Sequence, residues 1–288
     1  MTDEITKAFE LDQEKEKFWA NVDDRYKNIM PTGILAIDRI LRGVRPKQMV
    51  VFGARTRHAK TTFATQLSYH WADAGKKTLF FSNEMPAEWI IAKIASRILK
   101  IPYTDVIDGT IEQSYRDTIS NLYEHLKTLP LKIYDNSEGK NVLSIAKVVH
   151  REKPDIFVLD HIQELKQEDS RQPRHLFLAE ALEELRDLIK TTNSRCLLLA
   201  QCNRDTEDRK HGIPQLRDLK DSGAIEQVAD TVLMGCWPFA DEIQRNFEGL
   251  PMDNKYGEFD YLVQIAKNRL GSSGGCKLFF DAKESTFR

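Results

Sequence analysis

VVFGARTRHAKTT, residues Val50 to Thr62, decides how the rest of the chain is read. Three apolar residues, a turn and a helical start follow one another, with Lys60 and Thr61 at the turn–helix junction. A phosphate-binding loop belongs at such a junction, because backbone N–H groups and the helix N-terminus there attract an anion. The usual pattern places Gly at the first position and directly before the Lys. Ala54 and Ala59 occupy those positions here. Glycine permits positive φ and close approach, so an alanine held at positive φ costs about 1 kcal/mol. An ordinary strand–turn–helix with a chance Lys-Thr is the plain alternative. If the loop does bind phosphate, Ala54, Arg55, Ala59, Lys60, Thr61 and Thr62 form its wall.

Outward from this stretch, apolar runs of strand length recur at 48–53, 78–82, 131–134, 156–159, 196–201, 231–236, 261–267 and 277–281. Helical patterns lie between the early ones at 60–74, 87–99, 111–128, 142–151 and 176–192. Alternation of this kind predicts an α/β fold, a mostly parallel central sheet covered by helices on both faces. The Gly/Ser-rich connection 268–275 predicts a C-terminal β-hairpin. Residues 1–30 differ in composition from 31–288. Phe18, Trp19, Val22 and Tyr26 in the polar stretch 12–28 predict a short amphipathic docking helix, and Pro31-Thr32-Gly33 then breaks the chain.

Three further strands end in a polar side chain at the edge where ligands bind in open α/β sheets. Glu84 follows the second strand and is placed to polarise an attacking water. Asp160 ends an apolar strand and is placed to hold a metal ion together with Thr61. Gln201 ends another and is placed to sense a terminal phosphate. Each has a bland counterpart, namely a solvated loop Glu, a capping Asp and a strand-ending Gln. The four together, in order, are harder to obtain by chance.

Bulk properties narrow the classes. The chain has 288 residues, 41% hydrophobic and 30% charged, with a net charge of −2. No global basic surface for nucleic acid follows, so any such contact is local. The charged N-terminus and the lack of an apolar run near 18 residues give the expectation of a cytoplasmic protein without membrane contact. Cys196, Cys202, Cys236 and Cys276 contain no C-x-x-C pair and read as reduced thiols.

The wording of the motifs resembles the RecA-like motor domain of replicative hexameric helicases of the DnaB type. PTGILAIDRIL (31–41) followed by Gly43 is similar to the family's T-G-x-x-x-L-D lead-in. ARTRHAKTTFA (54–64) resembles its A-R-P-S-M-G-K-T-x-F-A loop, with departures at Thr56 and Ala59. FSNEMPAE (81–88), IFVLDHIQEL (156–165) and LAQCNR (199–204) resemble F-S-L-E-M-S-x-E, the Walker-B strand ending D-Y-L-Q-L, and L-S-Q-L-N-R. LRDLKDSGAIEQVADTVL (216–233) and KNRLGSSGGCKLFFDAKESTF (267–287) resemble the family's last two motifs. The likeness spans 31–288; the family's N-terminal helical domain, which binds primase, has no counterpart in this sequence.

The resemblance implies a P-loop ATPase using ATP and Mg2+, assembled as a homo-oligomeric, hexameric ring on single-stranded DNA. It implies that Lys60 and Thr61 bind phosphates and metal, Asp160 the metal, Glu84 the water and Gln201 the γ-phosphate. Lys267 and Arg269 are implied as fingers reaching a neighbour's site, where a solvated hairpin is the bland counterpart. Arg204, Arg209, Lys210, Lys220, Asp221 and Gly223 are implied as the DNA side. Primase and loader partners stay open, as do two rivals: a catalytically weakened ring with a structural or regulatory role, and a RecA-like recombination mediator.

Overall fold

Strand β1 (Met49–Ala54) is buried along its whole length. Its residues alternate between two cores, as the pleat requires. Met49 and Val51 face one cluster, and Val50, Phe52 and Ala54 face the other. A strand apolar on both sides must be covered on both sides, so the early fold is a layered one. The computed structural model describes residues 19, 22–23, 27–135, 141–167, 171–203, 213–220, 222–240 and 256–288.

The sheet order is β3-β2-β4-β5-β1-β6-β7-β8-β9. The other strands are β2 (Thr78–Ser82), β3 (Leu131–Asp135), β4 (Ile156–Asp160), β5 (Arg195–Gln201), β6 (Thr231–Cys236), β7 (Asp260–Asn268), β8 (Gly274–Asp281) and β9 (Thr286–Phe287). From β3 to β6 the pairings are parallel; from β6 to β9 they are antiparallel. The β7–β8 pair is the expected hairpin. Its second strand begins earlier than expected because Gly274 and Gly275 pair with Ile265 and Gln264.

The helices are α1 (Leu35–Leu41), α2 (Lys60–Asp73), α3 (Ala87–Leu99), α4 (Tyr103–Asp108), α5 (Gln113–Thr128), α6 (Val142–Glu152), α7 (Arg174–Thr192) and α8 (Ser222–Val228). Three short helices and β9 escape a periodicity reading, since α1, α4 and α8 are two turns or less. The helix expected over 111–128 begins at Gln113, after a separate α4 that ends at Gly109 in the left-handed region. Of the amphipathic stretch 12–28, Trp19, Val22, Asp23 and Lys27 are helical; Phe18 and Tyr26 lie outside the described residues.

Helix α2 is clamped from both chain directions. Phe63 stacks on Phe52 at 4.1 Å and meets Phe287 edge-on at 5.6 Å. Gln66 exchanges two hydrogen bonds with the Phe287 backbone, at 2.9 and 2.8 Å. Trp71 donates from Nε1 to the Pro31 carbonyl at 2.7 Å. Each fully buried aromatic contributes about 2–3 kcal/mol, so the helix that begins at Lys60 is held rigidly against the sheet.

Asp230 ties the start of the sheet together. Its Oδ2 accepts from the Met49 N–H at 2.9 Å, and its N–H donates to the Met49 carbonyl at 3.0 Å. Arg186 of α7 grips both carboxylate oxygens, the Oδ1 contact at 2.9 Å. The Arg269 N–H donates to the Asp230 carbonyl at 2.9 Å. Removing one partner of a buried ion pair leaves the other uncompensated. Asp230→Ala therefore lowers unfolding free energy by about 3 kcal/mol, read as a reduced denaturant midpoint, and loosens the β1–β6–β7 junction together.

Candidate functional site

The loop between β1 and α2 makes its turn without glycine. Ala59 sits at φ 54, ψ 28 and Arg57 at φ 67, both in the left-handed region. Sequence alone suggested strain at Ala59, and this is its form. Two anchors hold the loop in that shape. His58 is buried; its Nδ1 accepts from the Trp237 N–H at 3.0 Å, and its carbonyl accepts from the Tyr261 hydroxyl at 2.7 Å. Neither residue carries a motif signal, so sequence reading missed both.

The expected polar residues converge at the carboxyl ends of the strands. Thr61 donates from Oγ1 to Asp160 Oδ2 at 2.7 Å, joining α2 to β4. Lys60 is 8% exposed and donates to the Arg55 carbonyl at 3.1 Å. Gln201 donates from Nε2 to Thr56 Oγ1 at 2.8 Å. Thr56 stands where the resembled motif has Pro, and its hydroxyl gives the strand-end amide a partner in the loop. Glu84 is half exposed, with its carboxylate 3.5 Å from His161 Nε2. A cleft of 260 Å³ opens over these residues, lined by Thr56, Lys60, Thr61, Glu84, Lys93 and Gln201 among others. Ala54 is buried at the end of β1, under the loop.

Burial dominates the electrostatics. It raises the Asp160 carboxyl to about 6; the Thr61 hydrogen bond acts the other way, and Glu84 adds to the rise. Burial lowers Lys60, while Asp160 and Glu84 favour its charged form. Burial lowers Lys93 to about 8 against the pull of Asp160. Lys93 is a second ammonium in the cleft: it donates to Thr62 Oγ1 at 3.2 Å and lies 4.0 Å above the Tyr103 ring. Its sole sequence signal is a lysine bordering the apolar face of α3. His161 is driven down to about 4, chiefly by burial, so it is neutral at pH 7. Gln163 Oε1 accepts from the Gln201 N–H at 3.0 Å and lies 3.1 Å from His161 Nδ1, which puts the imidazole proton on Nδ1.

Hydroxyl and carboxylate oxygens suit a hard cation such as Mg2+, which is commonly held by one or two carboxylates together with phosphates. Asp160 Oδ1 is buried without a hydrogen-bond partner, so a lone-pair site stands ready beside Thr61. Among the described residues no group of three or more His, Cys, Asp or Glu forms a separate metal cage.

Lys267 and Arg269 lie elsewhere. Lys267 pairs with Val232 and Asn268 with Thr231, beside the start of β6, at the sheet edge opposite the cleft. Lys267 donates to the Glu226 carbonyl and Arg269 to the Gln227 carbonyl at 2.5 Å, both in α8. On the expected DNA side, Lys220 is exposed and its N–H donates to the Gln201 carbonyl at 3.1 Å. Gly223 belongs to the first turn of α8 and not to a loop, and no atom stands within 4 Å of a Cβ built there. Arg204, Arg209, Lys210 and Asp221 lie outside the described residues. Cys196, Cys202 and Cys236 are buried and Cys276 is half-buried. No helix of the described residues is long and apolar enough to cross a membrane.

Residues 30–288 match the family model of the DnaB-like helicase C-terminal domain. The replicative DNA helicase DnaB of Haemophilus influenzae is 29% identical over 263 residues, covering 89% of this chain and 54% of that protein. That of Helicobacter pylori is 29% identical over 209 residues, covering 71% and 43%. The chain thus spans about half the length of the relatives it matches. In three dimensions it is similar to a DnaB-like replicative helicase solved to show its interactions with primase, with TM-score 0.80, 21% identity and coverage of 98% and 67%. A KaiC-like protein of Pyrococcus horikoshii follows at TM-score 0.59, 19% identity and coverage of 90% and 97%. These structural likenesses establish the RecA-like α/β fold.

Two outcomes follow from the site's strain and burial. Ala59→Gly removes the alanine from the left-handed region and raises stability by about 1 kcal/mol or less, with nucleotide affinity kept or improved, read by thermal melting and calorimetry. Asp160 has a raised carboxyl pKa, so its ionisation opposes folding above about pH 6, and that opposition fades as pH falls toward the ordinary value of 3.8. Asp160→Asn accordingly stabilises the ligand-free chain at pH 8 by ~2 kcal/mol, and the gain shrinks toward pH 4 in denaturant titrations.

Proposed function

The chain belongs to the family of DnaB-like helicase C-terminal domains, and from that premise we propose that it is an ATP-driven translocase acting on single-stranded DNA in replication, working as a homo-oligomeric, hexameric ring. The observation that carries this reading is the Thr61–Asp160 hydrogen bond at 2.7 Å, set beside buried Lys60 at the start of α2. Together they support a cation-binding role for Asp160 and a phosphate-binding role for Lys60 at one point of the sheet edge.

Lys60 now donates to a loop carbonyl, and a phosphate seated at the α2 N-terminus takes over that donor. Lys93 adds a second positive charge from α3. Thr61 and Asp160 would hold Mg2+, which would supply charge neutralisation for the phosphoryl oxygens when bound with the nucleotide. Glu84, solvent-facing at the rim, orients and deprotonates the attacking water. Gln201 exchanges Thr56 for the terminal phosphate. Its backbone is bonded to Lys220, so a shift of that strand end moves the residues proposed to meet DNA. Lys220 and Gly223, with Arg204, Arg209, Lys210 and Asp221, give each subunit a short, sequence-blind contact with the phosphate backbone.

Lys267 and Arg269 sit at the sheet edge opposite their own cleft, so they complete a neighbour's site in a head-to-tail ring and not their own. An arginine provided in trans makes hydrolysis depend on assembly. Residues 1–30 are proposed as the segment that docks on the adjacent subunit. The left-handed Ala59 is anchored by His58 and Tyr261, which supports a working loop over a weakened, structural ring.

Lys60→Ala abolishes ATP turnover with or without single-stranded DNA, while the wild type turns over faster when DNA is present. Wild-type turnover no greater than the mutant's in both conditions would sink the motor reading. Arg269→Ala subunits doped into wild type reduce turnover out of proportion to their fraction; a linear loss places the arginine outside the neighbour's site.

A further inference from the structure

A carboxylate that activates water must be aimed as well as present. The Glu84 side chain is half exposed, and a glutamate so placed keeps much of its rotational freedom. The side chain beside it belongs to His161, which directly follows Asp160. The resembled motif has Tyr where His161 stands, so the imidazole is a feature of this chain.

The imidazole is fixed on one side and applied to Glu84 on the other. His161 is buried, and its Nδ1 lies 3.1 Å from Gln163 Oε1. That oxygen also accepts from the Gln201 N–H at 3.0 Å, which keeps the Gln163 amide from turning over. An amide oxygen cannot donate, so the imidazole N–H is the donor between the two side chains. The opposite nitrogen, Nε2, is 3.5 Å from Glu84 Oε2. The two segments are joined in the backbone as well, where the Asn83 N–H donates to the Asp160 carbonyl at 2.7 Å. A ring edge held from the end of β5 thus stands against the carboxylate and removes part of its rotational freedom.

We propose that His161 is a positioning residue for Glu84: anchored through Gln163 to the end of β5, its Nε2 edge sets the direction of the water-activating carboxylate. This rests on the reading that Glu84 is the group that activates water. The same link ties the carboxylate to Gln201, so the base and the residue proposed to meet the terminal phosphate are spaced by one buried ring and one amide.

Steady-state ATP turnover by the full chain, with Mg2+ and single-stranded DNA, tests it. The amide of Asn reaches the place of Nδ1, and that of Gln reaches toward Nε2. His161→Asn therefore keeps the Gln163 link and loses the contact with Glu84, whereas His161→Gln restores a polar group there. His161→Asn lowers kcat about tenfold, as a misaimed general base does, and leaves KM for ATP unchanged. His161→Gln recovers most of the lost kcat. In a Glu84→Gln background His161→Asn lowers kcat no further, because a residue that acts through the carboxylate then has nothing to direct. Wild-type kcat in His161→Asn overturns the proposal, and so does an equal loss in His161→Gln. A further loss in the Glu84→Gln background also overturns it, since His161 then braces the site as a whole. Wild-type kcat in Glu84→Gln alone removes the reading of Glu84 and the positioning role with it.

Discussion

A carboxylate buried from solvent at Asp160, with one oxygen bonded to Thr61 and the other without a partner, is the constraint around which the site is arranged. An ionised carboxylate is costly to bury alone. The surrounding groups are what such a charge requires: a hydroxyl donor from α2, and the ammonium groups of Lys60 and Lys93 within electrostatic reach. The same burial lowers both lysines. All three groups are poorly solvated where they lie, which is what moves each from its ordinary value.

That arrangement holds only if α2 begins at a fixed point. The usual route is a glycine at the turn; here alanine takes the left-handed conformation and neighbours enforce it. His58 reaches across to the end of β6, and Tyr261 of β7 reaches back to the loop carbonyl. Phe287, on the last strand, packs on α2 from behind. The C-terminal antiparallel strands are therefore part of the phosphate loop's support, although they lie far from it in the chain.

The two edges of the sheet have separate roles. Strand carboxyl ends carry Glu84, Asp160 and Gln201. At the other edge Asp230 gathers β1, α7 and the hairpin, and Lys267 and Arg269 rest on α8. The cleft therefore lies at one edge of the sheet, with Lys267 and Arg269 at the other. The Gln201–Lys220 backbone bond and the Cys202–Leu219 bridge then join the cleft to the segment that precedes α8.

The sequence by itself determined the strands, the longer helices and the identity of the polar strand ends, because apolar periodicity and residue type are local properties. Lys60, Thr61, Glu84, Asp160 and Gln201 were legible for that reason, and so was the hairpin. The tertiary structure alone decided which strands became neighbours, and hence that the cleft and the Lys267–Arg269 pair fall on opposite edges. It also decided the partners that carry no local signature. Lys93 reads as a helix-face lysine until α3 packs beside Thr62. His58 reads as a loop residue until β6 supplies the Trp237 N–H. Their roles arise from burial and from contacts between segments distant in sequence, and neither burial nor distance is encoded at a single position.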